Sequence, residues 1–287
     1  MNNIMNNGIN YKEKYDSIIS SLISAVVCKT ITNPFERIKI LQQTRTHFNI
    51  KCYNTIIGSF KTISKEEAIM GYFKGNLTNI ARISPAYILR FEFNNIYNGI
   101  FVKPYSNPTY LNYLASGVMM GITQNLITYP IDVVRSLRTL DNNTFKNNSI
   151  SNCIKYIYKT QGFKGYYQGL SVALTTGSMY IGTQFSLYNY FKENYTNNTF
   201  IAGASAGFIA QTMWYYGDSL KRNMHVNIVD KKYKNVFDCV KQLGIKKLYS
   251  GYKVNIIKCI IETPLQFYIY ENMIKIMKNS NYYSTNI

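Results

Sequence analysis

The chain has 287 residues and a net charge of +18, a balance that calls for a polyanionic partner: nucleic acid, anionic lipid or an anionic solute. Mean hydropathy is −0.16, yet residues 105–131, 165–191 and 194–217 carry no charge, and each run exceeds the ~20 residues that cross a bilayer as a helix. That distribution argues against a soluble, basic nucleic-acid-binding protein and points to a helical membrane protein with polar faces around a water-filled cavity.

In chain order, the Asn-rich residues 1–10 lack arginine and an apolar core, so they read as neither a secretory signal nor a cleavable transit peptide. Spanning helices are expected at 15–43, 79–101, 109–139, 170–192, 199–226 and 252–278, and short surface helices at 54–65, 148–160 and 233–243. Cysteines at 28, 52, 153, 239 and 259 form no C-x-x-C pair, and there are only two histidines, His47 and His225. Neither a disulfide framework nor a metal site is expected, and no cofactor. With no Gly-rich phosphate loop after a strand and no cysteine–histidine constellation, an enzyme is not expected either.

One phrase recurs three times: Pro34-Phe-Glu36-Arg-Ile-Lys39, Pro130-Ile-Asp132-Val-Val-Arg135 and Tyr216-Gly-Asp218-Ser-Leu-Lys221. The acids stand 96 and 86 residues apart, a period long enough for a repeated structural unit. A second phrase keeps the same period: Gly71-Tyr-Phe-Lys-Gly75, Gly165-Tyr-Tyr-Gln-Gly169 and Lys247-Leu-Tyr-Ser-Gly251. The chain therefore divides into repeats at 11–104, 105–195 and 196–280, each with two long helices and one short one. Gly117-x-x-x-Gly121 and Gly203-x-x-x-Gly207 sit at matching places in the third and fifth long helices and allow close helix packing. Pro34 and Pro130 are expected to kink their helices; the third copy has Tyr216 instead, with Gly217 as a source of flexibility.

These motifs resemble the mitochondrial carrier family, whose signature is P-x-[DE]-x-x-[KR], a spacer, and an acidic-Gly phrase ending in an aromatic, a base and Gly. The resemblance covers nearly the whole chain. It departs from the signature at Tyr216, at Gln168 and Ser250 in place of a base, and at Ala68 in place of the glycine after Glu67. It implies an all-α membrane protein of six transmembrane helices in three pseudo-threefold-related two-helix repeats, with short matrix-side surface helices. It further implies a matrix gate of three pairs, Glu36–Arg135, Asp132–Lys221 and Asp218–Lys39, each worth ~0–1 kcal/mol if exposed and so breakable. The corresponding outer gate falls on Phe93, Asn94, Asn95 and Asn98, on Tyr188, Asn189 and Lys192, and on Tyr270, Glu271 and Ile274. Only Lys192 and Glu271 are charged, so the outward-open form is expected to dominate without solute.

Charges midway along membrane helices cost ~2.5–3.5 kcal/mol each and so mark a path or a site. Lys29 lies about two turns before Glu36 on the same face. Arg82 and Arg90 lie two turns apart in the second long helix, and Lys258 stands at matching depth in the sixth. Thr176, Gly177 and Tyr180 occupy that level in the fourth, and Asn125 and Gln211 are the odd-helix equivalents of Lys29. Lys29, Arg82 and Lys258 are expected to converge as uncompensated positive charge, with Glu262 the one acid at their level. Arginine offers phosphate a planar fork, lysine a point charge, and Tyr180 a ring for a base to stack on.

Residues 28–39 and 73–82 resemble the nucleotide-type carriers, a group that includes ADP/ATP, ATP-Mg/phosphate and coenzyme A carriers. By that resemblance Lys29, Arg82, Tyr180 and Lys258 take substrate positions. The ADP/ATP carrier's R-R-R-M-M-M run is replaced by Lys221-Arg-Asn-Met-His-Val226, and its fourth-helix Gly-aliphatic pair by Thr176-Gly177, so an ordinary ADP/ATP exchanger is not expected. The expected function is a solute carrier of the mitochondrial inner membrane, with both termini toward the intermembrane space. It would move a phosphorylated anion (adenine nucleotide, coenzyme A-like or related) by alternating access in exchange mode. An amino-acid or keto-acid carrier and a non-transporting interaction protein stay open. Expected partners are a small anionic solute and anionic lipid such as cardiolipin, not nucleic acid, and the protein is expected to be monomeric.

Overall fold

The computed structural model describes residues 2–48, 51–140, 150–196 and 198–284. In repeat 1, α1 (Asn2–Phe48) leads through a 3₁₀ turn (Lys51–Asn54) to α2 (Ile56–Glu67), a second 3₁₀ turn (Ile69–Phe73) and α3 (Asn76–Phe101). Repeat 2 runs α4 (Tyr110–Thr139), α5 (Ile150–Gln161) and a 3₁₀ turn (Gly162–Tyr167), then α6 (Leu170–Val172), a π turn (Ala173–Gly177) and α7 (Ser178–Asn194), the last three end to end. Repeat 3 contains α8 (Thr199–Asp230), α9 (Val236–Leu248) and α10 (Tyr252–Ser284). No strand occurs among the described residues. The helix starts are written locally: Thr109 and Asn112 form a capping box on α4, Asn198 accepts the Phe200 and Ile201 amides, and Asn235 accepts that of Asp238.

The repeats are joined in a closed cycle. Gly75, Gly169 and Gly251, which end the Gly-aromatic phrases, have φ of 81°, 80° and 78°. This left-handed conformation turns the chain sharply into the second long helix of each repeat. Each also abuts the first long helix of the next repeat: Gly75 faces Thr139 of α4, Gly169 faces Met224 of α8, and Gly251 faces the Lys39 carbonyl of α1. The order 1→2, 2→3, 3→1 is what a pseudo-threefold arrangement requires.

Hydropathy alone marks one helix among the described residues, Tyr15–His47, as long and apolar enough to cross a membrane, with mean hydropathy 1.4. The other long helices are shorter or less apolar, and they too carry polar residues that face an internal cavity: Arg82 on α3, Gln124 on α4, Thr176 in the π turn, Gln211 on α8 and Lys258 on α10. Ile100, Leu126, Ile209 and Ile260 on their opposite faces are exposed, as lipid-facing residues would be.

The two small-residue motifs behave differently. A Cβ on Gly117 or Gly121 would lie 2.8 Å from the Cα of Gly182 or Ser178, so α4 and α7 meet backbone to backbone. Gly203 and Gly207 meet only the side chains of Tyr188 and Gln184, at 4.0 and 3.4 Å. The partner residues there are large, and the expected close approach does not form. Gly217 is not a hinge of positive φ. It is needed because a Cβ there would collide with Thr176, 2.8 Å from its Cγ2, so α8 lies hard against the π turn.

The short helices tie the base of the bundle together. Arg37, fully buried on α1, donates to Glu67 Oε2 and Oε1 at 2.7 and 2.8 Å, and also to the Gly71 carbonyl. Lys74 reaches the same carboxylate at 2.7 Å. Cys153 on α5 and Cys239 on α9 face inward, and burial pushes each thiol up to about 12.

Candidate functional site

A cavity of about 320 Å³ runs along the axis between the six long helices, within the range of small-molecule sites. At one end it is closed by the residues of the recurring acid–base phrase. Glu36 Oε1 lies 2.9 Å from Arg135 Nη2, Asp132 Oδ2 2.8 Å from Lys221 Nζ, and Asp218 Oδ2 3.0 Å from Lys39 Nζ. Each bridge joins one repeat to the next in the cyclic order of the glycines. Within repeats the i,i+3 partners are at 3.2 Å (Glu36–Lys39) and 3.9 Å (Asp132–Arg135 and Asp218–Lys221). Pro34 and Pro130 lie inside α1 and α4 two residues before the acids, whereas α8 contains no proline and runs unbroken through Tyr216. Tyr216 packs instead against the buried cluster that holds Val172, Leu220 and Met224.

The bridges are not exposed pairs, for which ~0–1 kcal/mol would apply. Their side chains are 5–22% exposed, and removing one partner of a buried pair costs about 3–5 kcal/mol. Nor is the ring limited to six residues. Arg222 Nη1 lies 3.3 Å from Asp132 Oδ1 and its Nε 3.6 Å from Asp218 Oδ1. Gln43 donates to Asp218 Oδ2 at 3.3 Å and to Tyr215 Oη at 3.0 Å, and Tyr215 donates to the Ser250 carbonyl at 2.8 Å.

A buried hydrogen-bond chain extends from the Asp132 corner. Arg222 donates to Ser136 Oγ, which lies 2.7 Å from His225 Nδ1; His225 Nε2 lies 3.0 Å from Tyr129 Oη, which donates to the Gln168 carbonyl at 3.0 Å. Since Tyr129 gives its proton to Gln168, it accepts from His225 Nε2, while Ser136 gives its own hydroxyl proton to the Asp132 carbonyl at 2.8 Å. The second corner is thereby fastened to the start of the fourth long helix.

Above the ring, all seven residues assigned from sequence to solute contact line the cavity: Lys29, Arg82, Arg90, Thr176, Gly177, Tyr180 and Lys258. Asn125 and Gln211 join them, with Tyr87, Gln124 and Trp214, which the sequence reading missed. Thr176 and Gly177 belong to the π turn, a feature common at functional sites. Asn125 donates to the Ala173 carbonyl at its start, at 3.2 Å. Trp214 donates to Thr183 Oγ1 at 3.0 Å, which fixes its indole.

The cations are not uncompensated, contrary to expectation. Lys29 pairs with Glu262. Lys258 lies 2.9 Å from Glu36 Oε2 and 3.5 Å from Glu262 Oε2. Arg82 Nε is 3.7 Å from Asp132 Oδ1. Spacing along a helix assigns a level, but lysine and arginine span more than one turn and reach acids above and below their own. The balance is still positive: eight basic and three acidic side chains line the cavity. Arg90 has only neutral Gln124 as a polar partner in the cavity, at 3.4 Å. Glu92, on the same helix as Arg82 and Arg90, is exposed and does not line the cavity.

At the other end the interactions are mostly neutral. Tyr97 and Thr123 are 2.6 Å apart, Asn98 donates to Asn94, and Lys192 sits 5.8 Å from the Tyr188 ring centre. Among the described residues no ion pair joins Lys192 to Glu271.

The family model for mitochondrial carrier proteins matches three times, over residues 12–105, 106–199 and 194–281. The chain belongs to the mitochondrial carrier family. A relative, mitochondrial substrate carrier family protein A of Dictyostelium discoideum, is 30% identical across 92% of this chain and 85% of its own. Mitochondrial carrier protein CoAc2 of Zea mays is 28% identical, covering 89% and 84%. Mitochondrial thiamine pyrophosphate carrier 1 of Kluyveromyces lactis is 26% identical, covering 90% and 89%. This carrier is thus an all-α transporter built of three repeats.

Proposed function

We propose that this carrier moves a phosphorylated anion across the mitochondrial inner membrane by alternating access, in exchange for a second such anion. The observation that carries the reading is the excess of basic over acidic side chains in a closed-ended cavity, with arginine forks and lysine point charges suited to phosphate oxygens. Tyr180 and Trp214 give the opposite wall two rings on which a nucleobase or another aromatic ring stacks. The names of relatives that carry coenzyme A-type and thiamine pyrophosphate designations fit a ring joined to a phosphate chain.

The acid–base ring serves as the matrix gate. Lys258 links it to the solute site, because one ammonium holds both Glu36 of the ring and Glu262 above it. A solute phosphate that draws Lys258 upward withdraws a cation from Glu36 and weakens that corner, so binding favours opening through differential contact with the two states. The sparse charge at the far end favours a resting form closed on the matrix side.

A thermal-stability screen of the purified carrier tests the reading, because a ligand that binds only the folded state raises its apparent stability. Nucleotides, coenzyme A or thiamine diphosphate are expected to stabilise it, and Arg82→Ala or Lys258→Ala to abolish the effect. Stabilisation by amino acids or keto acids alone would refute the phosphorylated-anion reading.

A further inference from the structure

Glu262 stands on α10 one turn beyond Lys258 and is 9% exposed. Its Oε1 holds the Lys29 ammonium, and its Oε2 lies 3.5 Å from Lys258 Nζ. It takes no part in the three bridges that close the ring, and its nearest acid on a neighbouring helix, Glu36, is also held by Lys258. The charged and titratable groups around it are Cys28, Lys29 and Glu36 on α1 and Lys258 and Cys259 on its own helix; Cys28 donates to the Glu262 carbonyl at 3.3 Å. Lys29 and Lys258, which line the cavity above the ring, are therefore both occupied by a carboxylate of the chain itself. Arg82 and Arg90 differ: Arg82 stands 3.7 Å from its acid, and Arg90 meets a neutral amide.

We propose that Glu262 is a specificity-determining residue: a tethered carboxylate that a solute must displace from Lys29 and Lys258, which rejects anions of low charge in favour of those bearing a diphosphate. The proposal rests on the phosphorylated-anion reading of this cavity and names the charge class it selects. A tethered group competes at a high effective concentration. A solute with one charge replaces one anion by another and gains little Coulomb energy, while it still has to overcome the tether. A diphosphate supplies separate oxygens for Lys29 and Lys258 and has others left for Arg82. Apparent affinity falls by the fraction of carriers whose lysines are free, so the tether acts on every solute, but only highly charged solutes recover the loss through the extra contacts. Sequence spacing could not reveal this, because Lys29 and Glu262 lie 233 residues apart.

The test uses the full-length carrier purified in detergent, with inorganic phosphate, pyrophosphate and tripolyphosphate as probes and with affinities measured by titration calorimetry. The wild type is expected to bind pyrophosphate at least about tenfold more tightly than phosphate. Glu262→Gln should strengthen the binding of phosphate and pyrophosphate alike by about tenfold, since the free fraction of lysines rises for every solute, and so bring phosphate into the range that only the more highly charged probes reach in the wild type. Glu262→Asp keeps the charge on a shorter arm and should strengthen them by less; it also serves if the glutamine variant does not fold. A weakening of all three probes, or unchanged affinities, overturns the role of Glu262 and leaves the phosphorylated-anion reading standing. Binding of none of the probes by wild type or variant overturns both.

Discussion

Ala68 stands in a backbone conformation that belongs to glycine. Its φ is 55° and ψ −164°, a region that side chains with a Cβ rarely enter and that costs about 1–3 kcal/mol. The corresponding turns of the other repeats hold Gly162 at φ 64° and Gly244 at φ 68°, so the fold imposes the conformation and the first repeat meets it with the wrong residue. Ala68→Gly removes the strain but frees the unfolded chain, which offsets about 0.4–1 kcal/mol. The net gain is about 1 kcal/mol, or roughly 2–4 °C in Tm for a chain somewhat longer than those for which that conversion holds. The strain sits next to Glu67, whose carboxylate grips Arg37 and Lys74, so the gain should appear as stability of the first repeat rather than as altered solute binding. Differential scanning fluorimetry of wild type and variant in the same detergent, with and without solute, reads both quantities. An unchanged or lowered Tm would refute the reasoning that the turn, and not the residue, dictates the backbone there.

Three further outcomes follow from the same geometry. Glu36→Gln leaves Arg135 and Lys258 buried without their shared carboxylate, and a loss of about 3–5 kcal/mol is expected in thermal unfolding; a loss below about 1 kcal/mol would return the ring to the class of exposed pairs. Trp214, the single tryptophan, lines the cavity, so solute binding should change its emission, and Trp214→Phe should remove the signal while leaving binding detectable by calorimetry. Cys153 and Cys239, with thiols raised to about 12 by burial, should resist maleimide at pH 8 in the folded carrier, because the thiolate is the reacting form; peptide mapping that finds them labelled as fast as in urea would contradict their inward placement.

The fold was legible because its determinants are periodic. The acid–base phrase and the Gly-aromatic phrase each recur at nearly one spacing, and the ends of the expected long-helix spans lie within six residues of the observed ones. α1 is the exception: it reaches back to Asn2, through an Asn-rich stretch without the apolar character used to mark its start. The three ring bridges were legible from the repeat plus the family resemblance. Arg222 and Gln43 were not, because neither occupies a position repeated in all three modules; they join the ring through contacts across 90 and 175 residues. The same cause hid the pairing of Lys29 and Lys258 with Glu262 and Glu36. Level along a helix was readable, but which acid a flexible lysine reaches depends on the rotation of two helices about their axes. Tyr216 shows the reverse: its lost proline was plain in sequence, yet its consequence, an unbroken α8 whose Gly217 presses on Thr176, needed the packing of the next element.

The central claim, that a positively charged cavity closed by the ring carries a phosphorylated anion, is tested most directly by exchange in proteoliposomes. Carrier reconstituted with internal nucleotide should take up labelled adenine nucleotide, coenzyme A or thiamine diphosphate, and lose that uptake on Arg82→Ala or Lys258→Ala. Uptake of keto acids or amino acids in place of every phosphorylated solute, or no exchange of any of them by a folded carrier, would contradict it.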